Sequence, residues 1–261
     1  MKRLSGKVAI VTGAGRGIGR GIAIAYAREG AKVVVASRTK STVDSVVEEI
    51  QAERGTALGI ACDVGRRDDV FAMVAKTVSA FATVDILVNN AQGFGTERRR
   101  APTPLPTPLE DLDEEEWEYT FRTGALATLW GMKAVFPCMK DRGGKIINFG
   151  SYLGQIGGEG TAAYNAAKEA IRALSRTAAR EWGKYKINVN VINPAVMTDA
   201  MAGYFDAHPD EAEAVLRQIP LRRWGDPVKD AGGLAVFLAS SDADYLTGMT
   251  FQLDGGGGMR A

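Results

Sequence analysis

Three side chains that can move a proton lie close together in the segment SYLGQIGGEGTAAYNAAK, residues 151–168: Ser151, Tyr164 and Lys168. Tyr164 and Lys168 are four residues apart in a helical pattern, so they share one helix face. A phenol has a pKa of about 10, but an ammonium ~4 Å away at an effective dielectric of ~20 would favour the phenolate by about 4 kcal/mol, roughly three pKa units. We therefore expect a tyrosine poised to donate and accept a proton. A packed tyrosine beside a surface lysine is the alternative.

A second cluster, VTGAGRGIG at 11–19, places Gly13, Gly15, Gly17 and Gly19 between an apolar run and a helical pattern. Glycine costs about 0.5–1 kcal/mol relative to alanine in regular structure, so the cluster indicates that backbone must approach something closely. The N–H groups and positive dipole end of the following helix would suit a pyrophosphate. We expect a dinucleotide here, and a tight turn without a ligand is the alternative.

The next apolar run ends in ASRTK, where a protein selective for NAD usually has an acidic residue. Ser37 and Arg38 instead supply a hydroxyl and a guanidinium, and Arg16 adds a cation within the glycine loop. Arginine binds phosphate bidentately, so the pair suits a 2′-phosphate. The sequence predicts NADP(H) as the preferred cofactor, with NAD(H) possible. Alternatively, both arginines are ordinary surface charges. Asp63, which ends another run, could accept from the adenine amino group.

Short apolar runs alternate with longer helical patterns along the chain, which indicates βαβ repetition and a parallel sheet with helices on both faces. We expect a doubly wound, mostly parallel seven-stranded α/β sheet in a single domain, 1–261. The predicted strands are 7–13, 31–37, 57–63, 84–90, 144–150, 186–192 and 250–256. The predicted helices are 18–29, 41–53, 67–81, 114–139, 161–182 and 227–239. Ligands bind outside the carboxyl ends of such strands, where the motifs above fall.

Composition excludes several classes of protein. The formal net charge is +1, and the one basic run, 98–100, is too short for a nucleic-acid arm, so no nucleic acid is expected. Two separated cysteines and a single histidine, His208, argue against a metal site. The N-terminal apolar run is too short for a signal peptide, and no run reaches the ~18 residues that span a bilayer. We expect a cytoplasmic protein without membrane contact.

Two segments interrupt the alternation and are predicted to form substrate loops, 92–113 with four alternating prolines and 199–222 with a short helix. The predicted pocket residues are mainly apolar or aromatic, with amides among them, which favours a small hydrophobic ketone or secondary alcohol. They are Gln92, Phe94, Tyr152, Gln155, Met201 and Tyr204. Each of them could equally be an ordinary core residue.

Together these motifs resemble the single-domain branch of the short-chain dehydrogenase/reductase family. The resemblance rests on TGAGRGIG, on NNA at 89–91, on a serine thirteen residues before YNAAK and on NPAVMT at 193–198, and it runs from Lys7 to about Gly256. It implies that Tyr164 exchanges the proton, Ser151 polarises the substrate oxygen, and Lys168 holds the nicotinamide ribose and lowers the tyrosine pKa. It also implies a homotetramer or a homodimer.

The cofactor-binding residues carried by this resemblance and by the glycine loop form one set. They are Gly13, Gly15, Arg16, Gly17, Ile18, Gly19, Ser37, Arg38, Asp63, Val64, Asn90, Ala91, Tyr164, Lys168, Pro194, Val196 and Thr198.

Three positions depart from the family pattern. Gly124 stands where the spacing from Trp117 places a catalytic asparagine that is thought to hold a proton-relaying water, so exchange must use backbone, Thr123 or another water path. Gln92 follows NNA in place of glycine, and Ala195 follows Pro194 in place of glycine. We expect an oxidoreductase. A nucleotide-binding regulator with vestigial catalysis and a lyase or epimerase on the same scaffold remain alternatives.

Overall fold

The computed structural model describes residues 2–104 and 106–259. Its centre is a parallel seven-stranded sheet of order β3-β2-β1-β4-β7-β8-β9. The strands are β1 (Val8–Thr12), β2 (Lys32–Ser37), β3 (Thr56–Ala61), β4 (Ile86–Asn89), β7 (Gly144–Phe149), β8 (Ile187–Pro194) and β9 (Thr250–Leu253). An antiparallel pair, β5 (Phe94–Gly95) and β6 (Arg100–Ala101), lies outside the sheet. The predicted fold class is confirmed. Met1, Leu105, Arg260 and Ala261 of the predicted domain lie outside the described residues.

Helices cover both faces of the sheet. They are α1 (Gly17–Arg28), α2 (Lys40–Ala52), α3 (Arg67–Phe81), α4 (Glu114–Phe121), α5 (Ala127–Met139), α6 (Tyr152–Ile156), α7 (Ala162–Trp182), α8 (Asp199–Ala207), α9 (Pro209–Gln218) and α10 (Gly232–Ala239). None of the helices within 2–104 and 106–259 is long and apolar enough to cross a bilayer.

Alternation along the central strands builds two cores. Val33 and Val35 of β2 face a core with α1, α2 and α10, whereas Val34 faces a core with α3, α5 and α7. Successive side chains of a strand point to opposite faces, so a strand buried on both sides reads as a continuous apolar run. The order of the strands reverses between β1 and β4, which opens the crevice where ligands bind in such sheets.

Two predicted helices contain a wider turn. The pattern at 114–139 is divided into α4 and α5 by a π turn at Arg122–Leu126, and the pattern at 227–239 begins with a π turn at Pro227–Ala231. A π turn keeps the apolar periodicity on either side and adds a residue locally, so the sequence pattern alone does not reveal it.

The two predicted loops have more structure than expected. Segment 92–113 holds the β5–β6 pair and a 3₁₀ turn at Leu109–Asp111, and Leu105 within it lies outside the described residues. Segment 199–222 was expected to hold one short helix and holds two, α8 and α9. Pro209 begins α9 at a position where its missing N–H costs no hydrogen bond.

Candidate active site

Two elements that leave the edge of the sheet after β7 bring Ser151, Tyr164 and Lys168 together. Ser151 caps α6, and its Oγ accepts from the N–H of Leu153 at 3.2 Å. Tyr164 and Lys168 lie in the first turns of α7, and the Lys168 Nζ is 5.4 Å from the centre of the Tyr164 ring. The Lys168 Nζ donates to the carbonyl of Phe149 at 2.9 Å, which ties it to the end of β7. The three side chains therefore form one group at the carboxyl end of β7.

Burial controls the protonation of this group. It lowers the pKa of the Lys168 ammonium to about 7 from an ordinary value of 10.5, and Lys168 is only 4% exposed. Burial also raises the pKa of the Tyr164 phenol, although a hydrogen bond with Ser151 opposes this. The expected lowering of the Tyr164 pKa by Lys168 is not found in this arrangement, because the loss of hydration dominates both groups.

The glycine loop has the shape of a cradle. Gly13 and Gly17 have φ values of +67° and +55°, a region that favours glycine. A Cβ at Gly13 would lie 2.7 Å from the Asn90 Nδ2, and a Cβ at Gly19 would lie 2.5 Å from the Gly13 carbonyl oxygen. The Asn90 Nδ2 also donates to the carbonyl of Thr12 at 2.9 Å, which fixes the loop against the end of β4.

The N-terminus of α1 can take an anion. Its N-cap is Arg16, whose side chain makes no capping hydrogen bond, and its first turn holds no acidic residue. A helix N-terminus in this condition presents N–H donors and a positive dipole end. Gly15 lies beside the end of β2, because a Cβ there would be 3.2 Å from the Ser37 Oγ. The residues present therefore fit a pyrophosphate at the loop and a ribose near Ser37.

Two charged side chains flank this end of the crevice, and other residues hold each of them in place. The Arg38 Nη1 donates to the hydroxyl of Tyr119 at 2.8 Å, and Tyr119 is buried in α4. The carboxylate of Asp63 accepts from the N–H of Gly65 at 2.9 Å, and the Arg100 Nη2 lies 3.7 Å from its other oxygen. Arg100 belongs to the predicted basic run, which thus reaches the end of β3.

The residues after β8 close the opposite side. Pro194 ends the strand, and Val196 is buried and bridges to Gly225. The Thr198 Oγ1 accepts from the N–H of Met201 at 3.3 Å and so caps α8. The methyl group of Thr198 would be 3.7 Å from a Cβ at Gly17, so the crevice is bounded by both segments.

Val64, Ala91 and Ile18 also line or support this crevice. The N–H of Ala91 donates to the Thr12 Oγ1 at 3.2 Å, and Val64 and Ile18 pack against the two cores.

The predicted substrate residues fall into different surroundings. The Phe94 ring lies 5.6 Å from the Tyr164 ring, centre to centre, which places it beside the catalytic group. Gln155 hydrogen-bonds Gln252 of β9, and Tyr152 packs so closely on Gly258 that a Cβ there would lie 2.5 Å from its ring. The substrate contacts predicted for Phe94, Gln155 and Tyr152 stay predictions.

In the second predicted substrate segment, 199–222, the two helices α8 and α9 contact one another. The hydroxyl of Tyr204 donates to the Glu211 carboxylate at 2.8 Å, and its ring stacks on His208 at 4.3 Å, which joins α8 to α9. Met201 lies in the first turn of α8.

The carboxamide of Gln92 is turned into α4 and the π turn. Its Nε2 donates to the carbonyls of Gly93 and Thr120 at 2.9 and 3.0 Å.

No group of histidine, cysteine, aspartate and glutamate in the described part of the chain could hold a metal ion.

Comparison with known proteins agrees with this geometry. A family model described as Enoyl-(Acyl carrier protein) reductase matches residues 13–257. The chain is 39% identical to a 12alpha-hydroxysteroid dehydrogenase of Clostridium sp., over 98% of both chains. It is 38% identical to a 3-oxoacyl-[acyl-carrier-protein] reductase of Staphylococcus aureus, over 96% of this chain and 97% of the relative.

Solved structures of dehydrogenases are also similar to this chain over nearly its whole length. A 7 alpha-hydroxysteroid dehydrogenase complexed with NADH and 7-oxo glycochenodeoxycholic acid superimposes with a TM-score of 0.89 at 33% identity, over 99% of this chain and 96% of that one. A putative NAD(P) dependent gluconate 5-dehydrogenase from Beutenbergia cavernae with bound NADP gives 0.87 at 34% identity, over 97% of both chains. The chain belongs to the short-chain dehydrogenase/reductase family and is an oxidoreductase.

Proposed function

We propose that this protein is an NADP(H)-dependent oxidoreductase that interconverts a ketone and a secondary alcohol on a mainly hydrophobic substrate. The observation that carries the proposal is the convergence of Ser151, Tyr164 and Lys168 at the edge of the sheet that also holds the glycine loop. A regulator without catalysis would not need a buried lysine fixed beside a buried phenol.

The division of labour follows from the contacts. A nicotinamide bound in the crevice supplies or accepts the hydride. The Ser151 hydroxyl, positioned as the cap of α6, donates to the substrate oxygen. Tyr164 gives its proton to that oxygen in reduction and takes it back in oxidation. Lys168, held by the Phe149 carbonyl, restores the proton to Tyr164.

NADP(H) preference rests on the charge at the end of β2. Arg38 is exposed and is held through one nitrogen by Tyr119, so its remaining N–H groups can face a 2′-phosphate. Ser37 ends the strand beside the glycine loop and offers a hydroxyl instead of a carboxylate. An acidic residue there would accept from ribose hydroxyls and repel a phosphate, and this chain has none.

The cofactor proposal is tested by titrating the protein with NADPH and NADH while nicotinamide fluorescence is followed. Because hydrogen bonds between charged groups contribute about 1.5–3 kcal/mol, Arg38→Ala should weaken NADPH binding by about tenfold to a hundredfold and NADH binding little. Arg180→Ala, at an exposed position in the last turn of α7, is the matched control. Equal or tighter binding of NADH by the unmodified protein would contradict the proposal.

The proposed substrate is a hydrophobic secondary alcohol of the hydroxysteroid type or the matching ketone. Phe94 beside Tyr164 supplies an aromatic surface next to the reacting oxygen. Two of the similar proteins named above are hydroxysteroid dehydrogenases. The similarity to a 3-oxoacyl-[acyl-carrier-protein] reductase makes 3-oxoacyl thioesters the second candidate.

A panel of 7-oxo and 12-oxo bile-acid steroids and short 3-oxoacyl thioesters, each with NADPH, separates these candidates. Turnover of the steroids with the higher kcat/KM supports the first candidate, and the reverse order supports the second. Product formation without net change in the nicotinamide would indicate a lyase or epimerase instead.

A further inference from the structure

The Arg38 guanidinium is held by a neutral partner. Its Nη1 donates to the hydroxyl of Tyr119 at 2.8 Å, and no ion pair among the described residues includes Arg38. The Arg20 guanidinium, by contrast, donates to the carboxylate of Glu49 from two nitrogens, at 2.9 and 2.6 Å. A carboxylate offsets the charge of the arginine that it holds, whereas a hydroxyl fixes a guanidinium and leaves its charge available. Arg38 is therefore held in place as an uncompensated cation.

Tyr119 is itself fixed from several sides. It is only 3% exposed, although its hydroxyl meets an exposed arginine. The Thr123 hydroxyl donates to the backbone carbonyl of Tyr119 at 2.8 Å, and the same hydroxyl accepts from the N–H of Gly93 at 3.1 Å. Helix α4, which carries Tyr119, packs against α7 and β5. The phenol thus offers Arg38 an acceptor on a rigid element.

A glycine at residue 93 leaves the space that the phenol occupies. A Cβ at Gly93 would lie 2.8 Å from the Tyr119 Cε1 and 2.9 Å from its hydroxyl oxygen. Cβ atoms in folded proteins do not approach other atoms this closely, so a larger residue at 93 would push the ring away. The ring of Tyr119 therefore passes over Gly93 as it reaches from α4 to the end of β2.

The remaining donors of Arg38 lie at the end of the crevice where the adenosine half of a dinucleotide would bind. Arg38 follows Ser37, whose Oγ would be 3.2 Å from a Cβ at Gly15 in the glycine loop. A guanidinium has five N–H donors in a planar fork, and the bond to Tyr119 uses one nitrogen. An arginine that rotates freely loses side-chain entropy when it binds a phosphate, and one that is already held loses less. Affinity for a phosphate at this position should therefore depend on the bond to α4.

We propose that Tyr119 is a positioning residue for cofactor selectivity, which holds the Arg38 guanidinium in the orientation that binds the 2′-phosphate of NADP(H). The inference rests on the proposed function. Tyr119 acts through Arg38 and makes no contact with the phosphate itself. Selectivity thus depends on α4 as well as on the residues at the end of β2.

Tyr119→Phe tests this role, because it keeps the ring and removes the oxygen that accepts from Arg38. Adenosine 2′,5′-bisphosphate and 5′-AMP, which differ only in the 2′-phosphate, are titrated against bound NADPH while nicotinamide fluorescence is followed. The ratio of their affinities measures the contribution of the 2′-phosphate. It should fall by about threefold to tenfold in Tyr119→Phe, which loses one hydrogen bond that orders the charged donor. Binding of 5′-AMP and NADH should change by less than about twofold, whereas a merely structural role would weaken every nucleotide. Tyr245→Phe, at an exposed position, is the matched control.

A double variant decides whether Tyr119 acts through Arg38. In the Arg38→Ala background, Tyr119→Phe should leave the affinity ratio unchanged within about twofold. A loss that persists in this background would indicate direct contact with the phosphate and would overturn the proposal, as would equal losses for both nucleotides.

The same titrations separate this inference from the proposed function. If the unmodified protein bound NADH as tightly as NADPH, the proposed function would fail. A preference for NADPH that is lost in Arg38→Ala and kept in Tyr119→Phe would refute the role of Tyr119 alone.

Discussion

Replacing the buried lysine of the active site should stabilise the fold at acidic pH. Burial lowers the pKa of Lys168 from 10.5 to about 7. One pKa unit corresponds to about 1.36 kcal/mol, so placing the charged lysine there costs about 5 kcal/mol when both folded and unfolded states are protonated. Lys168→Met removes that cost and loses one hydrogen bond, to the Phe149 carbonyl, which contributes about 1 kcal/mol.

The sign of the pH dependence follows from proton binding. Below about pH 7 both states carry the proton and the full cost applies. Between about pH 7 and 10.5 the unfolded state binds a proton that the folded state does not, so the stability of the unmodified protein rises with pH. Above about pH 10.5 neither state carries the proton, so burial of Lys168 no longer costs free energy through its charge. The stabilisation by Lys168→Met should therefore be about 3 kcal/mol larger at pH 6 than at pH 9.

Urea unfolding followed by tryptophan fluorescence at pH 6 and pH 9 measures this difference. Lys133→Met, on an exposed part of α5, controls for the loss of a lysine as such. A Lys168→Met variant whose effect on the free energy of unfolding is the same at both pH values would refute the reasoning. Destabilisation at pH 6 would refute it as well.

Two further predictions concern packing. A Cβ at Gly21 would lie 2.3 Å from the Pro227 carbonyl oxygen, so Gly21→Ala should cost about 3 kcal/mol in urea unfolding. Gly233→Ala, where a Cβ would enter open space outside the helix's own backbone, should instead stabilise by up to about 1 kcal/mol, and equal effects would contradict this account. Tyr26→Phe removes the bond from the buried hydroxyl to the Ala235 carbonyl at 3.1 Å and should cost about 1 kcal/mol by the same assay. An unchanged stability would mean that this bond contributes nothing.

The sheet and most of its helices follow from the sequence because the central strands are buried on both faces. Val33, Val34 and Val35 form one apolar run that ends at the polar Ser37, and the run and its stop are both visible in the sequence. The glycine loop is equally readable, since Gly13 needs a positive φ and Gly19 leaves no space for a Cβ.

What the sequence did not show depends on contacts between distant residues. The substrate contact predicted for Gln92, which replaces glycine after NNA, stays a prediction, but its side chain turns toward Gly124, thirty-two residues later, a direction that the local sequence does not reveal. The coincidence of a missing side chain at 124 and an added one at 92 was the signal available. The hydrogen bond from Arg38 to Tyr119 joins residues 81 positions apart, so no local sequence pattern predicts it.

Burial opposes the effect that Lys168 is expected to have on the pKa of Tyr164. Sequence spacing alone treats Tyr164 and Lys168 as two partly solvated charges. In the structure both groups are buried, and the loss of hydration raises the pKa of Tyr164 and lowers the pKa of Lys168. Spacing on a helix face predicts proximity, but the dielectric surroundings come from the whole fold.

Turnover by Tyr164→Phe tests the central claim most directly. The variant keeps the ring beside Phe94 and removes only the hydroxyl that transfers the proton. With the carbonyl substrate found in the panel, kcat should fall by about a hundredfold to ten-thousandfold, while NADPH affinity by fluorescence titration changes by less than about twofold. Turnover near that of the unmodified protein would contradict the account.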